Sequence, residues 1–378
     1  MWAWRIGSVQ GIDIKIHLTF PLVILWAATQ FGSSPQYVLF GTLLVLLLFG
    51  CVLLHELGHA LVARYYNLPV EDITLLPIGG VARFRVLRDS PKEELAIALA
   101  GPLVNVAISV LLFPLLIWGL DLLNREMLSE VSARTGRSEF QVAFALMGSA
   151  LRRLSFEGAL VYLFFANLML ALFNMIPAMP MDGGRVLRAV LAMALPYKFA
   201  TTIAVRLGQF IALLMAFWGL QGGNFGLLLV AFFVFVSGGA EIQRVALREV
   251  LLRGQVRSYM MEGLPINPYW SLYAVRLLAQ QSGQRAFPVL LNGTLLGLLT
   301  VRELHQHPAS ETVQDAMVED FSIVPPEHTL YDAQVTLQGE NHFAAAVMED
   351  GRLLGLLSLE DIDRAYHSLR RQPQIQWA

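Results

Sequence analysis

The chain has 378 residues, 56% hydrophobic and only 15% charged, with a mean hydropathy of +0.56. Soluble globular proteins are nearer about 25% charged, so the composition excludes an ordinary soluble fold for the whole chain. The net charge of −2, with no basic block, excludes nucleic acid as the main partner; the single Cys51 excludes an intramolecular disulfide.

Residues 1–240 hold 29 Asp, Glu, Lys and Arg, whereas residues 241–378 hold 27 in a much shorter length. An apolar N-terminal two-thirds therefore precedes a piece of ordinary soluble composition. The opening MWAWRIGSVQGIDIKI is too polar and alternating for a signal peptide, so the N-terminus is expected to be retained and cytosolic. Six apolar runs follow, at about 16–33, 37–62, 95–120, 158–177, 200–220 and 225–243, near the roughly 20 residues that a helix needs to cross a bilayer.

The loops GSSPQ and QGGN lack Lys and Arg and are expected outside. Arg64, Arg83, Arg85, Arg88 and Lys92, then Arg185, Arg188 and Lys198, then Arg244, Arg248, Arg253 and Arg257 belong to inside segments. Segment 121–157 should lie outside yet carries Arg125, Arg134, Arg137, Arg152 and Arg153, balanced by Asp121, Glu126, Glu130, Glu139 and Glu157. Segment 70–86, VEDITLLPIGGVARFRV, reads as two short strands around Gly79–Gly80, a re-entrant β-hairpin. It either offers an edge to a partner strand or packs as a turn.

The C-terminal part repeats itself. WSLYAVRLL at 270 aligns with HTLYDAQVTL at 328, and TLLGLLTVREL at 294 aligns with RLLGLLSLEDI at 352, in a constant register of 58 residues. Each copy reads as a helix, two apolar strands around a Gly turn, then a second helix. This pattern resembles a tandem pair of CBS domains over about 255–367, and such copies are expected to pack as one module.

The chemistry concentrates in CVLLHELGHALVARYY, residues 51–66. His55 and His59 lie four apart and share a helix face, so both rings can reach one ion. Glu56 can contact water held there, and HExxH is the zinc-hydrolase arrangement. The other reading is a charged span end paired with Arg64, but ionisable groups in a membrane segment carry a penalty of about 2.5–3.5 kcal/mol each. A third ligand is needed. Asp182 in NMIPAMPMDGGRVLRAVLA is the candidate, presented by a turn that Pro177, Pro180, Gly183 and Gly184 permit.

HELGH at 55–59, LAGPLVN at 99–105 and NMIPAMPMDGG at 174–184 together resemble the signature set of the site-2 protease family of intramembrane metalloproteases, over about residues 10–240. The resemblance implies His55, His59 and Asp182 as Zn2+ ligands, Glu56 as the base that activates water, and Asn174 as a group that bonds the substrate backbone or the developing oxyanion. No PDZ insertion is evident, a departure from the branch that acts on envelope-stress regulators. Asn105 is expected to make helix-to-helix hydrogen bonds, His17 to sit at the membrane interface, and Cys51 to pack in the core.

The CBS resemblance implies a ribose site for ATP or AMP at Thr300, Ser358 and Asp361, with Glu303 in place of an aspartate in the first copy. The same spacing is also a helix capping box. The expectation is thus a polytopic α-helical membrane protein of about six transmembrane helices with a re-entrant β-hairpin, plus a cytosolic α/β CBS pair. Its parts are a zinc protease domain (1–245), a linker (246–257) and CBS repeats at 258–310 and 311–370. The expected substrate is a membrane-anchored regulatory protein cut to release a cytosolic fragment. The setting is the cell membrane, with both termini cytosolic and a homodimer through the CBS pair. The alternatives are a non-catalytic scaffold or transporter with a CBS regulator, which would bind no zinc, and a prenyl-processing zinc peptidase. That second class is expected to draw its third ligand from a glutamate, and the DGG segment offers an aspartate.

Overall fold

The computed structural model describes residues 3–30, 34–77, 79–84, 90–120, 125–136, 138–150 and 155–371. The chain divides into two units, Met1–Ile242 and Gln243–Ala378. Of the charges that orient the chain, Arg85, Arg88, Asp121, Arg137, Arg152 and Arg153 lie outside the described residues.

The first unit opens with strands β1 (Ala3–Val9) and β2 (Ile12–His17). Gln10 and Gly11 between them take φ of 48° and 81°, the left-handed pair that a two-residue hairpin turn requires. In IDIKIH the isoleucines face inward, Ile12 at 1% and Ile14 at 6% exposure. Helices α1 (Pro21–Gln30) and α2 (Pro35–Tyr65) lead to β3 (Val70–Leu76) and β4 (Gly79–Phe84). The sheet order is β1-β2-β3-β4, with β2 and β3 parallel. Lys15 Nζ lies 2.7 Å from Asp72 across that parallel pair. Among the described residues β4 pairs only with β3, so its outer edge is open.

Next come α3 (Pro91–Gly119), α4 (Arg125–Thr135), α5 (Glu139–Ala150), α6 (Phe156–Asn174), α7 (Asp182–Ala192), α8 (Tyr197–Gln221) and α9 (Phe225–Leu251). Among the described residues, five helices are long and apolar enough to cross a membrane: α2, α3, α6, α8 and α9. The expected span at 16–33 is not one of them. Residues 16 and 17 end β2, and α1 has only 10 residues, about 15 Å of helix against a hydrocarbon core of about 30 Å. The hairpin at 70–84 is observed, but as half of a four-stranded sheet that the N-terminal hairpin completes.

Small residues let the helices approach closely. A Cβ on Gly58 of α2 would come within 2.8 Å of Val104 and 3.0 Å of the Ala100 carbonyl on α3. Helix α7 packs on α3 and α8 and carries Arg188, 2% exposed. Its guanidinium bonds Glu94 in the first turn of α3, with Nε 2.8 Å away, and Glu241 of α9 at 2.5 Å.

The second unit holds the last turns of α9, then α10 (Val256–Tyr259), α11 (Leu272–Ser282), β5 (Ala286–Leu291), β6 (Thr294–Thr300), α12 (Val301–Gln306), α13 (Val313–Ala316), β7 (Ser322–Val324), α14 (Leu330–Gly339), β8 (Ala344–Glu349), β9 (Arg352–Ser358) and α15 (Leu359–Arg371). The repeated order is helix, hairpin, helix. Both hairpin turns use the same chemistry: Asn292–Gly293 at φ 52° and 85°, Asp350–Gly351 at φ 49° and 77°.

The two copies exchange short helices. Val256 of α10 joins the core of the second copy with Leu330 and Leu357. Val313 and Ala316 of α13 join the first core with Leu272 and Leu299. Matching bonds hold them: Val256 N–H donates to the His328 carbonyl, and Val313 N–H to the Trp270 carbonyl, each at 2.9 Å.

Candidate metal centre

His55 and His59 are 5% and 4% exposed, although they belong to a helix whose other faces are apolar. One helical turn apart on α2, they point at α3, where only a glycine leaves room for them. A Cβ on Gly101 would meet His59 Nε2 at 2.2 Å and His55 Nε2 at 2.6 Å. Gly101→Ala is therefore expected to displace the rings at about 1–3 kcal/mol, read as reduced zinc per purified chain.

Asp182 begins α7 and is 8% exposed. The two glycines that follow explain how it reaches the histidines. A Cβ on Gly183 would lie 2.3 Å from the Met175 carbonyl, and one on Gly184 2.6 Å from Ala178 carbon. Without side chains there, the first turn of α7 can lie against the 175–179 backbone and aim its carboxylate inward.

The three ligand atoms converge. Asp182 Oδ2 is 3.2 Å from Nε2 of both rings, and the two Nε2 atoms are 3.1 Å apart. The opposite ring nitrogens face oxygens: His59 Nδ1 is 2.6 Å from the Ile97 carbonyl, and His55 Nδ1 is 2.5 Å from Asn105 Oδ1. A ring whose Nδ1 donates a hydrogen presents a bare lone pair at Nε2. Two such lone pairs and a carboxylate oxygen meet at one point, an all-acceptor cluster that a cation satisfies. Two imidazoles and one carboxylate are the donor set of a catalytic zinc site.

Glu56 and Asn174 line the same cavity, of about 450 Å³, as the cluster. Glu56 is not one of the three converging residues and lies beside β4, where a Cβ on Gly80 would be 2.4 Å from its Cγ. Asn174 closes α6. Cys51 receives a hydrogen bond from Asn167 at 3.3 Å, and His17 Nδ1 bonds the Thr19 hydroxyl at 2.8 Å.

Thr300, Ser358 and Asp361 lie in the second unit at helix starts. The Thr300 hydroxyl accepts from Arg302 N–H at 3.2 Å, and Glu303 accepts from Thr300 N–H at 3.2 Å. Asp361 accepts from Ser358 N–H at 2.9 Å and from its hydroxyl at 2.6 Å; its other oxygen pairs with Arg364. In this structure these side chains cap helices.

Sequence reading missed three things. Asn105 was read as helix-to-helix glue, and it does bond Asn167, at 2.8 Å, but its oxygen also holds His55. Its spacing of four from Gly101 was the available signal, since both then lie on the face towards α2. Asn167 carried no motif. Arg185, read only as a topology marker, lines the cavity.

A buried cluster of two imidazoles and a carboxylate, flanked by an acid and set among long apolar helices, defines an integral-membrane metallopeptidase. Residues 43–215 match the model of peptidase family M50, and residues 313–368 match the CBS domain. A zinc metalloprotease of Methanocaldococcus jannaschii is 32% identical over 376 residues, 98% of each chain. Stage IV sporulation protein FB of Bacillus subtilis is 28% identical over 206 residues, 54% of this chain and 57% of its own. Among solved structures, the site-2 protease from M. jannaschii is 34% identical, covering 64% of this chain and 95% of that one, with a TM-score of 0.43. The chain belongs to peptidase family M50, the site-2 proteases, and is a zinc metalloprotease with a C-terminal CBS domain.

Proposed function

We propose that the chain is an intramembrane endopeptidase that cuts a membrane-anchored regulatory protein in or near its transmembrane segment and releases a cytosolic fragment. The observation that carries this reading is the convergence of His55, His59 and Asp182 from two separate helices, with all ligand atoms within 4.8 Å of one another, in the cavity that Glu56 lines.

In this reading His55, His59 and Asp182 hold zinc. When bound, zinc supplies a Lewis acid that polarises the scissile carbonyl and activates water. Glu56 takes the proton of the attacking water and passes it to the leaving amine nitrogen. Asn174 donates its amide to the oxygen that gains charge. A transmembrane substrate keeps its carbonyls bonded within its own helix, so it must unwind before attack. The open edge of β4, whose Gly80 backbone lies against Glu56, offers main-chain groups to the unwound segment by strand addition, with β3–β4 acting as the re-entrant hairpin.

The same proposal sets the protease at 1–245, the linker at 246–257 and the CBS repeats at 258–310 and 311–370. It places the chain in the cell membrane with cytosolic termini, following its basic segments. The CBS pair is the regulatory module and a dimer contact. An adenine nucleotide held at Thr300, Ser358 and Asp361 must displace the cap bonds or the Arg364 pair described above.

The test is metal content. Wild-type protein purified without chelator is expected to hold about one zinc per chain, and His55→Ala and Asp182→Ala are each expected to lose most of it. Zinc-free wild type would overturn the reading in favour of a non-catalytic scaffold.

A further inference from the structure

We propose that Asn105 and Asn167 are positioning residues that fix the orientation of the His55 ring, so that its Nε2 presents a lone pair to the metal. This rests on the assignment of His55 as a zinc ligand. Both asparagines are wholly buried, at 0% exposure, on two long apolar helices, α3 and α6. There an unpartnered amide carries a desolvation penalty that its partners must offset.

The donor and acceptor sense of the whole chain follows from one fixed end. The Leu163 carbonyl can only accept, and an Asn167 amide group lies 2.8 Å from it, so that group is Nδ2. The oxygen of Asn167 then faces Asn105 at 2.8 Å, and the facing group must donate, which makes it Asn105 Nδ2. The Asn105 oxygen is left facing His55 Nδ1 at 2.5 Å, so Nδ1 carries the hydrogen. Nε2 is therefore bare and points at Asp182 Oδ2 and His59 Nε2.

The other histidine reaches the same state directly, since its Nδ1 faces the Ile97 carbonyl at 2.6 Å. Among the described residues, the partner of His55 Nδ1 is the Asn105 side chain and not a backbone carbonyl. Its acceptor is an amide that could rotate end for end, and Asn167 is what prevents the rotation. Helix-to-helix bonding alone explains the bond between the two asparagines, but not the Asn105 oxygen on His55. Partners of this kind orient a ligand and raise its basicity, and their loss weakens metal binding by about 10–100-fold.

The test uses full-length protein in detergent, with zinc affinity measured by competition against a chromogenic chelator. Asn105→Leu, Asn167→Leu and the double variant are compared with wild type, and the visible spectrum of each Co2+-loaded form reports ligand geometry. Asn105→Leu is expected to bind zinc about 10–100-fold more weakly, with an altered Co2+ spectrum. Asn167→Leu is expected to weaken binding in the same direction. The double variant should be no weaker than Asn105→Leu alone, because Asn167 acts through Asn105. A purely structural role predicts lower unfolding midpoints with unchanged zinc affinity and an unchanged Co2+ spectrum, and that result overturns the proposal. If Asn105→Leu does not fold, Asn167→Leu alone decides: wild-type zinc affinity in it overturns the relay. Zinc-free wild type would instead overturn the ligand assignment beneath it, a distinguishable failure.

Discussion

Glu56→Gln is expected to cut peptide hydrolysis by about 10²–10⁴-fold, the usual contribution of a general base, while zinc content stays at the wild-type level. The separation follows from geometry. The residues that could hold the metal are His55, His59 and Asp182, and Glu56, outside that set, lies beside Gly80 of β4. Glutamine has the same shape and can still hydrogen-bond, but it cannot take a proton. His55→Ala should instead lose metal and activity together. The measurement pairs cleavage of a transmembrane substrate with zinc analysis of the same preparation. Wild-type turnover in Glu56→Gln would remove the base assignment while leaving the metal site intact.

Arg188→Ala is expected to destabilise the membrane unit by about 3–5 kcal/mol, the range for breaking a buried ion pair from one side. Arg188 sits at 2% exposure with Glu94 at 8%, and it also bonds Glu241. Removing the guanidinium takes from Glu94 and Glu241 a cation that both of them bond. The measurement is thermal unfolding in detergent. Replacing all three charges by apolar residues of similar volume should recover most of the loss, since no charge is then left alone. Loss of stability without that recovery would mean that the Glu94 and Glu241 pairs are not what Arg188 supplies, and would point to its guanidinium over the Tyr197 ring, 5.1 Å from the ring centroid.

The meeting of His55, His59 and Asp182 was legible in the sequence because coordination chemistry dictates both residue type and spacing: histidines four apart on a helix, and an aspartate freed by prolines and glycines. The repeat was legible because its two hairpin turns and helix starts kept one register. Other features were hidden for physical reasons. IDIKIH adjoins an apolar run, so a hydropathy reading began the span at Ile16 and His17, which close a strand and pair in a sheet. One partner of β2 is the adjacent β1, but the other, β3, lies more than fifty residues away, and no local pattern announces that pairing. Arg188 was counted for topology, a rule that registers charge but not burial. Asn105 and Asn167 are single polar residues in oily helices, and such residues look alike whether they bond another helix or a ligand.

The exchange of α10 and α13 between the CBS copies makes the pair a closed interlock, in which each copy lacks a piece of its own interior and carries a piece of the other's. The unit should then melt in one cooperative step and have no stable half. A chain stopped before Val313 lacks α13 and leaves its first core open. Duplication followed by exchange has thus turned a repeat into an indivisible fold, in which a perturbation of either half is felt in both.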